Sequence, residues 1–479
     1  MHADVAVIGA GISGLCAAMM LKTAGLDSFV VFEKAPAVGG VWRANTYPGA
    51  GCDLPSRLYS YSFEPSDWSG TYSGQPEILD YLKRCAKKHD LRSHLRFGIE
   101  ITRITYRGTP RLWELTAADG SQHTARVVIT ATGQLDSPRV PQIPGIEDFS
   151  GTTFHSARWE HGHPMTGRTV AVVGNGCSAV QLVPQIARNA KQVSVFQRSP
   201  KWVIPKFHRD YRPLTRRLFT HFRAARKIHR AIWFASAETI AYSPIHGGLW
   251  GKALTLLARY HLRRQVRDRK LREKLSPKYA FGCNRMILSN DYYPALSRDN
   301  VDLVTDNILR IVPHGIATTD GTVHQADTII FATGFHATRF LNTMEVIGPH
   351  GNLHDQWENG ASAHLGITVP GFPNLFMLYG PNTSSASNSI IYMIESQMRY
   401  IVRCLSLLPP GGSIEVTQHA YDQYQQDLEK RLRTTVWQQN CRSWYKTKAG
   451  RVTNMWPGRA HVYRRATRLP QEEDFHLHE

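Results

Sequence analysis

The sequence predicts an α/β fold in which two Rossmann-like dinucleotide-binding domains are interrupted by a helical insert, and three observations predict it. A glycine-rich turn at Gly9, Gly11 and Gly14 follows a short apolar run near the N-terminus. A second turn of the same form, at Gly174 and Gly176, leads into Cys177-Ser178-Ala179. Beyond it lies a strongly basic stretch with helical periodicity, after which strand-like sequence returns.

In the first unit, Val5-Ala6-Val7-Ile8 reads as a strand, the glycines as a tight turn and helix start, and Phe29 to Phe32 as a second strand ending at Glu33. The first glycine permits the turn, the second lets backbone approach a pyrophosphate, and the third lets helix pack on strand. The anion then sits on the helix N-terminus, where free N–H groups and the helix dipole favour it. Glu33 stands 24 positions after Gly9. Its carboxylate accepts hydrogen bonds from a ribose diol, so this unit suits the ADP half of FAD. In the second unit Val170-Ala171-Val172-Val173 leads into the turn, Ala179 replaces the third glycine, and Val193 to Phe196 precedes Arg198. Arg198, also 24 positions after its first glycine, cannot accept but donates to a 2′-phosphate, with Lys201 beside it. That unit suits NADPH. Two such units in one chain imply electron transfer between two cofactors.

A chain of 479 residues suggests about three domains at ~150 residues each. The hydrophobic fraction of 42% and aromatic fraction of 10% are those of a soluble globular protein. The N-terminus enters a strand directly, which leaves no room for a signal peptide, and no apolar run reaches the ~18 residues of a membrane span. Seven scattered cysteines include no CxxC pair, which points to a reducing cytosol, burial for each of them, and no metal site. The expected location is cytoplasmic. The sequence carries no signal for the oligomeric state.

Charge is concentrated in the insert. Between Lys201 and Leu275, 19 Lys and Arg stand against four acids, a net +15 of the chain's +19. Leu214, Leu218, Phe222, Ala225 and Trp233 fall on one side at helical spacing, and a second helical stretch runs from Leu249 through Tyr260 to Val266. Three readings of the charge compete. One is the solvated faces of a lid, the default; a second is peripheral contact with an anionic membrane surface or lipid-like substrate; the third is nucleic acid. No recognition motif accompanies the charge, so no nucleic-acid partner is expected.

After the insert, Thr328-Ile329-Ile330-Phe331-Ala332-Thr333-Gly334 echoes Val128-Ile129-Thr130-Ala131-Thr132-Gly133. Both read as strands carrying chain between the nucleotide-binding domains. More sheet follows at Leu375 to Tyr379, then a helix from about Ile390 to Leu408. The expected division is an FAD-binding domain over 1–148 and 331–479, an NADPH-binding domain over 149–204 and 279–330, and the insert over 205–278.

Two further motifs carry a family resemblance. Gly39-Gly40-Val41-Trp42, Tyr47-Pro48-Gly49 and Asp53 stand at one fixed spacing, and Phe149, Gly151, His155 and Trp159 form FxGxxxHxxxW. With Gly282-Cys283-Asn284-Arg285, Gly380-Pro381-Asn382-Thr383 and Trp456-Pro457-Gly458, the chain resembles the type I Baeyer–Villiger monooxygenases over nearly its whole length. The resemblance implies that NADPH reduces FAD, that reduced flavin adds O₂ as a C4a-peroxyflavin, and that this attacks a small-molecule ketone to give an ester or lactone. Arg285 matches the family's catalytic arginine, and Asp53 the carboxylate that holds it. Gly40, Trp42 and Asn382 fall among the flavin contacts. Gly174, Gly176, Ser178, Arg198 and Lys201 fall among those of NADPH. His155 and Trp159 match signature residues that couple the domains, with plain packing the other reading of Trp159.

Four positions depart from the family pattern. Asn284 stands where lysine is common, Gly51 where arginine is frequent, Glu160 where proline or aspartate is usual, and Ser387 where many relatives have histidine. Two other functions stay open at this point. One is oxygenation of a sulfur or nitrogen substrate, which needs the protonated hydroperoxide rather than the anion. The other is a flavin-loaded binding protein with degenerate catalysis.

Overall fold

In a computed structural model of the chain, which describes residues 1–439, 441 and 443–479, two sheets, one mixed and one parallel, are built around the two glycine turns. The first sheet has nine strands. His2–Ile8 lies between Phe29–Glu33 and Gln122–Thr130, parallel to both. Leu375–Met377 joins the far side of Gln122–Thr130, so the C-terminal part of the chain returns to the sheet that the N-terminus began. Leu15, Leu21, Val31 and Ile129 are wholly buried in the core beneath it, together with Met398 and Ile401 of the helix Ile390–Leu407.

The second sheet is entirely parallel. Its order is Val301–Val304, Gln192–Phe196, Thr169–Val173, Thr328–Phe331 and Thr152–His155. Strands covered on both faces read as continuous apolar runs, and Val170-Ala171-Val172 is completely buried. Thr328–Phe331 belongs wholly to this sheet, so the chain leaves it only after Phe331.

Between the sheets' sequences the insert forms helices at Pro213–His221, Arg223–Ser236, Leu249–Gln265 and Arg269–Lys274. Here one expectation is corrected. Leu214, Leu218, Phe222, Ala225 and Trp233 do not line one continuous helix face; Leu214, Leu218 and Phe222 are exposed, and Phe219 is the buried residue of the first helix. The cause is a break at Phe222, which has extended backbone (φ −104°, ψ 99°), so the single helical phase assumed across it does not exist. No helix among the described residues is long and apolar enough to cross a membrane.

A second correction concerns the cysteines. Cys283 and Cys441 form a disulfide across 158 positions, while Cys16, Cys52, Cys85 and Cys404 are buried thiols and Cys177 a half-buried one. Scattered spacing concealed the pair because the fold, not the local sequence, brings the two together.

Candidate functional site

The first turn is a cradle that side chains would fill. Gly9 has φ +107°, and a Cβ there would stand 2.6 Å from the Ala131 carbonyl oxygen. A Cβ on Gly14 would stand 1.7 Å from the Gly9 oxygen, and one on Gly40 2.9 Å from Gly11 Cα. The Gly39-Gly40 loop therefore lies directly across the turn, with the Gly39 N–H donating to Ala10 (3.0 Å). The helix Ile12–Thr23 starts at Gly11 without a side-chain cap, which leaves its first N–H groups for an anion. Glu33 is buried and accepts from the N–H groups of Ala10 (2.7 Å) and Ala35 (2.9 Å). Two of a carboxylate's roughly four lone-pair sites are thus engaged, and the rest suit a ribose diol. The Trp42 indole donates to the Tyr59 hydroxyl (3.0 Å) and meets that ring edge-on at 5.7 Å, which fixes its orientation.

The second turn repeats the plan. Gly174 has φ +115° and its Cβ would stand 2.4 Å from the Ala332 oxygen; a Cβ on Gly176 would meet no atom within 4 Å, so the approach is open. The helix Cys177–Ile186 is likewise uncapped, with Ser178 in its first turn and Gln181 accepting from the Tyr47 hydroxyl (2.9 Å). Arg198 is exposed and Lys201 half-buried; burial and then the Arg198 charge push the Lys201 ammonium below its usual range. Neither cation forms an ion pair among the described residues, and two adjacent unpaired cations suit a phosphate. Asn175 holds this loop to the turn by donating to Gln197 (2.9 Å) and Ser199 (2.7 Å).

Between the turns lies a charge cluster around Arg285. Arg285 is exposed, yet the protein packed around it disfavours its charge; its neighbours, of which Asp53 is the carboxylate, outweigh that and hold the guanidinium above its ordinary range. Arg285 in turn acts on Cys52, Tyr59 and Tyr379. Its neighbours thus come from both glycine-turn units: Cys177 opens the helix after the second turn, and Tyr59 bonds Trp42 beside Gly40. Asp53 is buried, which raises its carboxyl against the pull of Arg285 and Lys206. The expected Asp53–Arg285 clasp is corrected in form. They interact electrostatically, yet no ion pair within 4.0 Å joins them, and the Asp53 carboxylate instead accepts from the Gln181 amide (3.5 Å). Lys206, which carries no motif, supplies a second cation and sits 5.3 Å from the Tyr72 ring centroid.

The Arg285 loop is clamped from three sides. Gly282 has φ +93° and its Cβ would stand 2.9 Å from the Pro244 oxygen of the insert. The Trp437 indole donates to the Gly282 carbonyl (3.1 Å), and Cys283 is bonded to Cys441. Trp437 and Cys441 were not legible as site residues, since only the fold brings them here.

His155 is buried at the junction of the domains. Its Nδ1 accepts from the Ala157 N–H (3.1 Å), so its Nε2–H donates to the Gly334 carbonyl (3.0 Å). Burial pushes its pKa down, so the ring is neutral. Trp159 packs edge-on against Phe154 at 5.2 Å, on the side of the second core. Asn382 has its amide nitrogen engaged by the carbonyls of Val452 (2.9 Å) and Met455 (3.1 Å), which ties its loop to the 452–455 segment. Of the departures, Asn284 is buried beside Tyr279, the Ser387 hydroxyl is buried without a hydrogen-bond partner among the described residues, and a Cβ on Gly51 would stand 3.2 Å from the Ser73 oxygen.

Two uncapped glycine turns facing one arginine-centred cluster define the class of two-dinucleotide flavoproteins, and comparison with known proteins agrees. The family model of flavin-binding monooxygenase-like proteins matches residues 2–232. A Baeyer–Villiger monooxygenase of Streptomyces coelicolor is 40% identical over 474 residues, covering 98% of this chain and 91% of that protein. Another, of Pseudomonas aeruginosa, is 38% identical over 482 residues, with 99% and 92% covered. Among solved structures, an oxidized steroid monooxygenase bound to NADP aligns with a TM-score of 0.87 at 30% identity, covering 100% of both chains. OTEMO in complex with FAD and NADP gives 0.89 at 29%, covering 99% of each. A cyclohexanone-bound cyclohexanone monooxygenase gives 0.86 at 27%, covering 100% of this chain and 99% of that one. The chain belongs to the Baeyer–Villiger monooxygenase family.

Proposed function

We infer that the chain uses FAD and NADPH to insert one oxygen atom of O₂ next to a ketone carbonyl. Ketone, O₂, NADPH and a proton give ester or lactone, NADP⁺ and water. The observation that carries this is the placement of Arg285, a permanently charged group with neighbours from both nucleotide units. Bound FAD, reduced by NADPH, supplies the activation of O₂. The chain's own residues do the rest. Arg285 presents a cation to the negative charge that develops on oxygen and on the former carbonyl, where fixed charge costs no reorganisation. Asp53 and Lys206 set the field around it. Glu33 holds the adenosine ribose of FAD, and Arg198 with Lys201 holds the 2′-phosphate of NADPH. The ketone reading draws support from relatives named for that reaction and from the neighbour that holds cyclohexanone.

The test is aerobic NADPH consumption with a panel of ketones and sulfides, followed by product analysis. Ester or lactone in step with NADPH used supports the proposal. Sulfoxide without ester would move the reaction to heteroatom oxygenation. NADPH is expected to outperform NADH about ten- to a hundredfold, because a charge-assisted hydrogen bond contributes roughly 1.5–3 kcal/mol.

A further inference from the structure

Ten of the nineteen exposed large hydrophobics among the described residues fall between Phe207 and Tyr260, about a ninth of the chain. Their spacing is ordered. Leu214 and Leu218 stand four positions apart on Pro213–His221, with Leu214 78% exposed, and Phe222, 61% exposed, follows at its end. Ile228 and Ile232, each 61% exposed, have the same spacing on Arg223–Ser236. Leu249, Leu256 and Tyr260 form a third stripe on Leu249–Gln265, with Leu249 83% exposed. Residues at such spacing share one helix face. Soluble monomers rarely leave ordered apolar stripes in water unless something covers them.

The charges around the stripes select what does so. Tyr211 to Ala237 contains seven Lys and Arg and no acid. Arg216 pairs with Asp67, and Arg230 and Arg226 donate to backbone carbonyls, but Arg212, Arg217, Arg223 and Lys227 are exposed and form no ion pair among the described residues. On the third helix Lys252, Arg259, Arg263 and Arg264 are exposed likewise. A second copy of this chain would set like charge against like charge. Nucleic acid would leave the Leu and Ile stripes uncovered. A surface that is anionic at its face and apolar beneath satisfies both features, and aromatic residues such as Trp250 and Tyr260 suit that boundary.

We propose that the insert helices dock the protein on an anionic lipid bilayer, with the three stripes entering the headgroup boundary and the flanking Arg and Lys engaging lipid phosphates. The protein is anchored to the surface and does not span it. The test is flotation of the full FAD-loaded protein with vesicles of phosphatidylglycerol and phosphatidylcholine, against phosphatidylcholine alone. The protein is expected on the anionic vesicles at low salt, weakened as salt rises and screening sets in over ~10 Å at 0.1 M. The triple variant Leu218→Ser/Ile228→Ser/Ile232→Ser keeps every charge and is expected to bind at least about tenfold more weakly, from the apolar area lost. Its FAD content and NADPH turnover should be unchanged. Leu249→Ser/Leu256→Ser, on the separate helix, repeats the measurement should the first variant fold poorly. Absence from anionic vesicles at low salt overturns the proposal. Equal binding of parent and stripe variants overturns it too, by leaving charge as the sole cause. So does a dimer in solution that the stripe variants dissociate, which would make the stripes a subunit interface.

Discussion

Arg285 keeps its charge at any working pH and has the Asp53 carboxylate among its neighbours, so its removal acts on one step and spares another. Electron transfer from NADPH to FAD needs no cation where oxygen reacts. Arg285→Ala is therefore expected to bleach the flavin with NADPH in the absence of oxygen, yet to lose ester formation on the order of 10²–10³ and to release hydrogen peroxide instead. Arg285→Lys should restore little, since an ammonium lacks the planar fork of a guanidinium. Parent-like ester formation by Arg285→Ala would assign the role elsewhere. His364 makes a different prediction. Burial lowers its pKa from 6.5 to about 4, and its Nδ1 lies 3.3 Å from the Ala420 carbonyl oxygen. Above pH 6.5 the ring is neutral in both folded and unfolded chains. Between 6.5 and 4 only the unfolded chain binds the proton, so stability falls as pH falls, by roughly 3 kcal/mol across the window. His155 and His261 are displaced in the same direction. His364→Asn keeps a donor and removes the titration, so denaturant melts at pH 7.5 and 4.5 should differ less for the variant than for the parent.

Among elements, the nucleotide turns were the most legible because each is local: strand, turn, helix and charged terminus follow within about thirty residues. Their geometry also makes them brittle. A Cβ on Gly14 would stand 1.7 Å from the Gly9 oxygen, which no relaxation of a side chain relieves. Gly14→Ala is expected to yield protein that retains no FAD after gel filtration, while the second unit still retains NADP⁺ on a 2′-phosphate affinity resin. Flavin retained at parental content would mean that this turn opens more easily than its packing indicates. The insert was legible only in part. Its helices lie where periodicity placed them, but Phe222 breaks the phase, and the apolar residues set by that phase turned outward.

At the scale of the whole molecule, the cluster proposed to act on oxygen could be recognised in the sequence by resemblance and not by periodicity. Asp53, Cys177, Lys206, Arg285 and Tyr445 lie far apart in the chain, and no periodicity relates them. The motifs around Asp53 and Arg285 marked two of the five. Lys206 stands in an ordinary-looking strand exit, and Tyr445 acts through a loop that the fold alone delivers. The Asn382 amide donors serve the 452–455 backbone, a contact its motif did not announce. Tertiary burial, which sequence patterns do not encode, also decided the Cys283–Cys441 pair.

That bond closes part of the chain into a covalent ring. A protease cut within residues 284–440 leaves two pieces joined through sulfur, whereas a cut in the insert severs the protein outside the ring. Trypsin meets many exposed Arg and Lys in the insert, so light digestion should release separable fragments there even without a thiol. Cuts inside the ring should run as one full-length band on a denaturing gel and resolve only after reduction. Fragments from inside the ring that separate without reductant would show that the sulfurs are not joined in solution. If they are joined, a nicked molecule keeps the arginine loop fastened to the C-terminal segment, and a cut there need not end activity.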